Sequence, residues 1–81
     1  MNTEEKLQSA FSRALAIPGR NVTEDLTYQS IPEWDSLGHL TLIEEIECTF
    51  DINIDTNDVL TLTSYADAKK MLARYNIDLK N

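Results

Sequence analysis

The chain has 81 residues, a formal net charge of −7 and one cysteine. A chain of this length corresponds to a single domain, so we expect one domain over residues 1–81 with a modest core. One cysteine excludes an internal disulfide, and we expect a reducing compartment, the cytoplasm. No apolar run approaches the roughly 20 residues that a membrane-spanning helix needs, which predicts no membrane insertion.

The distribution of charge along the chain separates basic from acidic residues. No Lys or Arg lies between Asn21 and Ala68, and this stretch contains most of the Asp and Glu residues. A negative field of this kind repels nucleic acid and anionic membranes and attracts basic protein surfaces. We therefore expect protein partners with basic surfaces and no nucleic acid, although solubility alone would also explain a high net charge.

The first predicted element is a helix over residues 3–17. Its apolar residues recur at helical spacing and form one stripe, namely Leu7, Ala10, Phe11, Ala14 and Leu15. A Pro-Gly pair then ends the helix. A long loop follows over residues 19–34, and from it Leu26 and Ile31 are predicted to reach the core. Loops this long are unusual in small domains and are often functional.

The second predicted helix covers residues 36–50, with Asp35 as its N-cap. On a helical wheel its apolar face comprises Leu40, Leu42, Ile43, Ile46 and Phe50. The opposite, outward face comprises Leu37, Thr41, Glu44, Glu45 and Cys48. A short helix is expected near residues 56–60. A last helix is expected over residues 64–75, with candidate core residues Tyr65, Ala68, Met71, Leu72 and Tyr75.

These patterns predict an all-α fold. Three main helices and one short helix must pack their apolar stripes against one another, because each helix has only one face to bury. The sequence shows no alternating pattern typical of a strand. We therefore expect a small antiparallel four-helix bundle with a long first loop.

The segment from Trp34 to Leu40 carries the residues of chemical interest. Ser36 follows the acidic Asp35 at the predicted first turn of a helix. Unpaired backbone N–H groups and the positive end of the helix dipole meet there, so an anionic group attached to Ser36 would be stabilised. Gly38 has no side chain and would let a tethered group or a partner come close. Helix capping alone is the commoner explanation of an Asp-Ser pair at a helix start.

One hexapeptide resembles a segment of the acyl carrier protein family, namely Asp35-Ser36-Leu37-Gly38-His39-Leu40. The apolar residues that follow it fit the same family, namely Ile43, Ile46, Phe50 and Ile54. A second segment looks like that family's entry into its last helix, namely Leu62-Thr63-Ser64-Tyr65-Ala66-Asp67-Ala68. The similarity covers about residues 7–72. Within the family, residues 34–39 look more like stand-alone carriers of specialised pathways than like the housekeeping fatty-acid carrier.

The resemblance implies a carrier of acyl groups that is not itself an enzyme. Ser36 would carry 4′-phosphopantetheine, transferred from coenzyme A by a phosphopantetheinyl transferase, and Asp35 would help to position the metal in that reaction. The acyl group would be held on this arm as a thioester and passed between acyl-loading and acyl-transferring enzymes with basic docking surfaces. The chain would hold no metal of its own and would act as a monomer in lipid metabolism, such as fatty-acid or polyketide biosynthesis.

The resemblance also implies that the outward face of the second helix contacts partner enzymes. The candidate contact residues are Leu37, Thr41, Glu44, Glu45, Glu47 and Cys48. This sequence departs from the family at three of them. Glu44 stands where an apolar residue is frequent, and Thr41 and Cys48 stand where acids are frequent. The identity of the partners, like that of the acyl cargo, is therefore left open.

A serine hydrolase is the first alternative, because Ser36, His39 and Asp35 are the residue types of a catalytic triad. A triad also needs a carboxylate on the far side of the imidazole and an oxyanion hole, whereas Asp35 adjoins the serine. His39 falls on the apolar side of the wheel. We expect it to be a partly buried residue that closes the end of the bundle.

A calcium site is the second alternative. Asp51, Asn53 and Asp55 match the first three ligand positions of an EF-hand loop. Thr56 replaces the glycine that the loop needs for its turn, and Leu62 replaces the bidentate glutamate. We therefore expect a polar turn here rather than a metal site.

A non-catalytic acidic interaction module is the third alternative. It would have the same helical bundle and the same charge, with an unmodified Ser36. Composition does not separate this module from a carrier. Modification of Ser36 is the property that distinguishes them.

Overall fold

The computed structural model describes residues 2–77. The four α-helices are α1 (Thr3–Leu15), α2 (Ser36–Phe50), α3 (Thr56–Thr61) and α4 (Tyr65–Arg74). A single turn of 3₁₀ helix, Gly19–Asn21, follows α1, and the one strand-like pairing within residues 2–77 is an isolated antiparallel bridge between Thr27 and Ser64. The predicted all-α class is confirmed, and the four helices are compatible with a small helical bundle. No helix in the described part of the chain is long and apolar enough to cross a membrane.

Short polar side chains cap the beginnings of the two helices that flank the candidate site. Asp35 Oδ1 accepts a hydrogen bond of 2.8 Å from the Gly38 N–H, so α2 begins where the sequence predicts. Ser64 Oγ accepts a hydrogen bond of 2.9 Å from the Asp67 N–H at the start of α4. Both caps satisfy backbone donors that have no partner inside the helix.

Two helices end at residues with a left-handed backbone conformation. Ala16 has a φ of 56° after α1, and Asp51 has a φ of 54° after α2. The Ala16 N–H turns back to the Ser12 carbonyl, which closes the last turn. α1 therefore ends at Leu15, earlier than the predicted residue 17, because a left-handed residue reverses the direction of the chain.

One hydrophobic core joins α1, α2, α4 and the long loop. The Phe11 ring packs edge-to-face against Trp34 and Tyr65, with ring centroids 5.5 and 5.1 Å apart. The other buried residues are Leu7, Ala10, Leu15, Ile17, Val22, Leu26, Leu42, Ile43, Ile46, Leu62, Ala68, Met71 and Leu72. Residues predicted for the core that pack half-buried at its edge are Ala14, Ile31, Phe50 and Tyr75, and Ile54 packs there as well.

Leu40 lies on the predicted apolar face of α2 but is not buried with the other residues of that face. Its side chain is 57% exposed, although it lies on the apolar side of α2. Near Leu40, α2 faces α3. That helix has only six residues, and none of them is buried. Leu40 therefore lines an open cavity instead of a packed interface. A helical wheel misses this difference because it treats the whole length of α2 as facing the same core.

Polar contacts hold α3 against the end of α4. The Tyr75 hydroxyl donates to Asp58 Oδ2 at 2.7 Å and accepts a hydrogen bond of 2.8 Å from the Asp55 N–H. Arg74 also forms an ion pair with Asp58. The Tyr75 hydrogen bond, followed by the Arg74 contact, holds the pKa of the Asp58 carboxyl below its usual value. These contacts fix one side of α3 without burying any of its side chains.

The long loop is joined by backbone hydrogen bonds to the link between α3 and α4. The Tyr28 N–H donates to the Thr63 carbonyl at 2.8 Å, and the Tyr65 N–H donates to the Leu26 carbonyl at 3.0 Å. At the end of the loop, Trp34 is completely buried. The loop therefore reaches the start of α2 as packed structure.

Candidate functional site

Ser36 is the first residue of α2, and its side chain is exposed. Asp35, not Ser36, makes the capping hydrogen bond to the Gly38 N–H. The contact recorded for Ser36 Oγ among the described residues is with the Tyr28 hydroxyl at 3.3 Å. Helix capping therefore accounts for Asp35 but gives no role to the Ser36 hydroxyl, which is left accessible at the positive end of α2.

Gly38 is required by the packing of the chain's own backbone. A Cβ at this position would lie 2.2 Å from the Glu33 carbonyl oxygen. From the sequence, we expect that the absence of a side chain at Gly38 lets a tethered group or a partner come close. The structure instead places the Glu33 carbonyl in that space, so Gly38 allows the loop to fold closely over the first turn of α2.

A chain of hydrogen bonds links the loop, α2 and α3 at this end of the molecule. The Trp34 Nε1–H donates to His39 Nδ1 at 3.0 Å, which leaves the ring proton on Nε2. His39 Nε2 then donates to the Val59 carbonyl at 2.8 Å. The two rings also stack, with centroids 6.2 Å apart and planes at 19°. The prediction of a partly buried histidine at the bundle end is confirmed.

This geometry leaves His39 without a free nitrogen for catalysis. Nδ1 accepts from Trp34 and Nε2 donates to Val59, so neither nitrogen can take the Ser36 proton unless one of these bonds breaks. Asp35 caps the helix through Oδ1 and makes no hydrogen bond to the imidazole among those found in residues 2–77. The three residues therefore do not form the connected Ser-His-Asp arrangement that a hydrolase needs.

An open cavity of about 350 Å³ lies beside Ser36. Its lining residues are Tyr28, Ser36, His39, Leu40, Val59, Leu60, Leu62 and Thr63. Leu60 on α3 is 72% exposed and, with Leu40 on α2, makes its lining largely apolar. A short apolar group attached to Ser36 could therefore enter this cavity, and so reduce its contact with water, without unfolding any helix.

Sequence reasoning missed most of the residues that form this cavity with Ser36. Tyr28 lies in the long loop, where no periodic pattern indicates which side chains point inward. Val59 and Leu60 lie in α3, which is too short to give a clear apolar stripe. Thr63 lies in the link before α4. Only the long loop itself, which the sequence marks as unusual, indicated that residues outside α2 contribute to the site.

The predicted partner-contact residues divide into two groups. Leu37 is 75% exposed, as predicted for the outward side of α2. Thr41, Glu44 and Cys48 are also exposed. All four side chains are accessible to a partner, and their contact with one stays a prediction.

The other two candidates, Glu45 and Glu47, already have partners within the chain. Arg13 Nε donates to Glu45 Oε1 at 2.9 Å, which joins α1 to α2. The Ile54 N–H donates to Glu47 Oε2 at 2.8 Å, which holds the link between α2 and α3. Both carboxylates thus have a structural role in addition to their predicted surface role.

The residues considered for calcium binding have other roles. Asp51 is the left-handed residue that ends α2, and Asp55 is the N-cap of α3. Within residues 2–77, no group of three or more His, Cys, Asp or Glu side chains is arranged to hold a metal ion. The expectation of a polar turn agrees with these roles.

Comparison with known proteins does not assign the chain to a family. No protein-family model, curated protein or solved structure matches it. The site is therefore defined by its own geometry, which combines three features. They are an exposed serine at the start of α2, an open apolar cavity beside it, and a half-buried His39 in the cavity lining that accepts a hydrogen bond from the buried Trp34.

Proposed function

We propose that this chain is an acyl carrier protein, a stand-alone member of a specialised pathway, with 4′-phosphopantetheine attached to Ser36. The observation that carries the proposal is the exposed Ser36 hydroxyl, which has no capping role and lies at the mouth of an apolar cavity. The resemblance of residues 35–40 to the acyl carrier family supports it. The proposal includes the finer fold prediction of an antiparallel arrangement of the four helices.

The attachment reaction makes one bond and breaks one. Ser36 Oγ attacks the pantetheine-side phosphorus of the coenzyme A diphosphate, the bond from that phosphorus to the bridging oxygen breaks, and adenosine 3′,5′-bisphosphate leaves with that oxygen. The serine proton passes to a base on the transferase or to solvent. The product is a phosphodiester at the start of α2, where the free backbone N–H groups and the helix dipole stabilise its negative charge.

Asp35 fits its proposed role in this reaction. Its Oδ1 atom is engaged with the Gly38 N–H, which fixes the side chain next to Ser36. The second carboxylate oxygen, Oδ2, is not part of this cap and can contact the metal that the transferase brings with coenzyme A. When bound, the arm supplies a thiol that holds acyl groups as thioesters.

The cavity beside Ser36 gives an apolar cargo a place to dock. Its volume of about 350 Å³ and its exposed lining residues Leu40 and Leu60 suit a small apolar group. Burial of apolar surface there stabilises the loaded carrier by roughly 25 cal/mol for each Å² removed from water. The cargo can leave again without crossing a packed core, because the cavity is open.

The proposed partners are a phosphopantetheinyl transferase and enzymes that load or accept acyl groups in the cytoplasm. The net charge of −7 favours partners with basic docking surfaces. Electrostatic steering speeds encounter without demanding tight binding, which suits a monomeric carrier that must visit several enzymes. The flexible arm then raises the effective concentration of its cargo at the docked active site. In this proposal the chain has no catalytic activity of its own.

The test of the proposal is the intact mass of the protein before and after incubation with coenzyme A, magnesium and a broad-specificity phosphopantetheinyl transferase. We expect a gain of one phosphopantetheinyl group in the wild type and no gain in Ser36→Ala. Because Asp35 and not Ser36 caps α2, the free energy of unfolding of Ser36→Ala should differ from that of the wild type by no more than about 0.5 kcal/mol. A circular-dichroism melt checks this.

Two results would contradict the proposal. If several transferases leave the mass unchanged, the acidic interaction module with an unmodified Ser36 becomes the better interpretation. If Ser36→Ala still gains the group, the attachment site lies elsewhere.

Charge reversal on the outward face of α2 tests the proposed steering. Glu44 is exposed and makes none of the hydrogen bonds or ion pairs found within residues 2–77, unlike Glu45 and Glu47. We expect Glu44→Lys to lower kcat/KM for modification about two- to tenfold at low salt. The loss should shrink between about 0.01 M and about 1 M ionic strength, because the Debye length falls from about 30 Å to about 3 Å.

The matched control is Asp25→Lys, an exposed charge reversal in the long loop. It changes the net charge by the same amount but leaves α2 intact. If Asp25→Lys slows modification as much as Glu44→Lys does, the net charge rather than the α2 face steers the partner. If neither variant responds to salt, electrostatic steering is not part of the mechanism.

A further inference from the structure

The hydroxyl of Tyr28 contacts the hydroxyl of Ser36. Tyr28 Oη lies 3.3 Å from Ser36 Oγ. The Tyr28 ring packs edge-to-face against Trp34 and His39, with centroids 6.2 and 5.5 Å away. The Tyr28 N–H donates to the Thr63 carbonyl at 2.8 Å. The loop, α2 and the α3–α4 link therefore hold this hydroxyl beside the serine.

The contact between the two hydroxyls is long for a hydrogen bond, so the free serine engages the Tyr28 hydroxyl only weakly. Ordinary O–H···O hydrogen bonds have lengths of about 2.7–2.8 Å, so a contact of 3.3 Å is weak. A hydrogen bond to a charged oxygen shortens to about 2.5–2.7 Å and is roughly twice as strong. Once Ser36 is esterified, Oγ has no proton, and Tyr28 becomes the donor of the pair.

Within residues 2–77, few other cationic groups are available to hold a phosphodiester at this position. No Lys or Arg lies between Asn21 and Ala68, the stretch that contains the loop, α2 and α3. Three basic residues outside that stretch, Arg13, Lys69 and Arg74, form ion pairs with carboxylates. The described residues that can donate to a group on Ser36 therefore include the N–H groups at the start of α2 and the Tyr28 hydroxyl, which already contacts Ser36 Oγ.

We infer that Tyr28 is a positioning residue for the group attached to Ser36. Its O–H donates to an oxygen of the phosphodiester and directs the arm along the mouth of the cavity. Before attachment, the two hydroxyls share a weak hydrogen bond in which either oxygen can be the donor. This inference rests on the proposed attachment of phosphopantetheine to Ser36.

Tyr28→Phe tests the inference, because it removes the hydroxyl and keeps the ring that packs on Trp34 and His39. We expect kcat/KM for modification to fall about three- to tenfold, the value of one hydrogen bond. In the modified protein the ³¹P resonance of the phosphodiester should shift relative to the wild type. Tyr65→Phe is the matched control, since it removes a hydroxyl from a ring that packs on Phe11, and it should change neither quantity.

A measurement on the unaltered protein complements the variant. On modification of the wild type, the side-chain NMR resonances of Tyr28 should move more than those of Tyr65. Unchanged Tyr28 resonances, or an unchanged rate and ³¹P shift in Tyr28→Phe, would overturn the inference while the wild type still gains the arm. If the wild type gains no arm, the proposed function and this inference fail together.

Discussion

Trp34→Ala is expected to lower the free energy of unfolding by about 3–5 kcal/mol, the range for truncation of a large buried aromatic side chain. Trp34 is completely buried and packs against Phe11, Tyr28 and His39. Small domains have total stabilities of about 5–15 kcal/mol, so this change removes a large share. Urea unfolding monitored by circular dichroism measures the change in the free energy of unfolding. Tryptophan fluorescence cannot be used, because Trp34 is the one tryptophan of the chain and the variant lacks it.

Trp34→Phe separates packing from hydrogen bonding at the same position. It keeps an aromatic ring near Phe11 but removes the Nε1–H that donates to His39 Nδ1. We expect a smaller loss than for alanine, because much of the ring packing remains. The loss that remains comes in part from the half-buried His39 Nδ1, which is left without its donor. A loss below about 1 kcal/mol for Trp34→Ala would mean that the end of the loop is not anchored in the core.

Gly38→Ala is expected to destabilise the protein by about 1–3 kcal/mol, although alanine is normally the better helix former by up to about 1 kcal/mol. The new Cβ would lie 2.2 Å from the Glu33 carbonyl oxygen. That oxygen belongs to the backbone and cannot rotate away, so the loop before Asp35 must move. We therefore expect slower modification of Ser36 as well as lower stability, measured by urea unfolding and by the rate of mass gain.

Gly19→Ala is the matched control for this prediction. A Cβ at Gly19 meets no atom within 4 Å, and the residue lies outside the candidate site. Its stability should stay within about 0.5 kcal/mol of the wild type, with an unchanged modification rate. If Gly38→Ala proves neutral or stabilising, the Glu33 carbonyl does not pack against the first turn of α2 as described.

The parts of the fold that follow from local sequence were predicted well. α2 begins at Ser36 and ends at Phe50, as predicted, because Asp35 is a strong cap and the apolar spacing stops at Asp51. α1 was predicted too long, because apolar spacing continues to Ile17 while the backbone turns at Ala16. The side chain of Ile17 is still buried, so the pattern identified its environment but not its conformation.

The parts that depend on contacts between distant segments were not predictable in this way. The approach of Tyr28 to Ser36 requires the long loop to fold back over α2, and no periodic pattern describes a loop. The engagement of Glu47 with the Ile54 N–H depends on the course of the chain after α2. Sequence reasoning thus found the serine and its cap, whereas its neighbours became visible only in three dimensions.

The backbone bonds between the long loop and the start of α4 also bear on when the site forms during synthesis. The loop that carries Tyr28 and Trp34 is held by Thr63 and Tyr65, which the ribosome adds much later. Domains fold as their chains emerge, and contacts between distant segments form only after both segments are present. A nascent chain that ends before α4 therefore lacks the bonds that hold the long loop in place beside Ser36. An enzyme that recognises Ser36 together with the packed loop would act only on chains whose synthesis has passed that point.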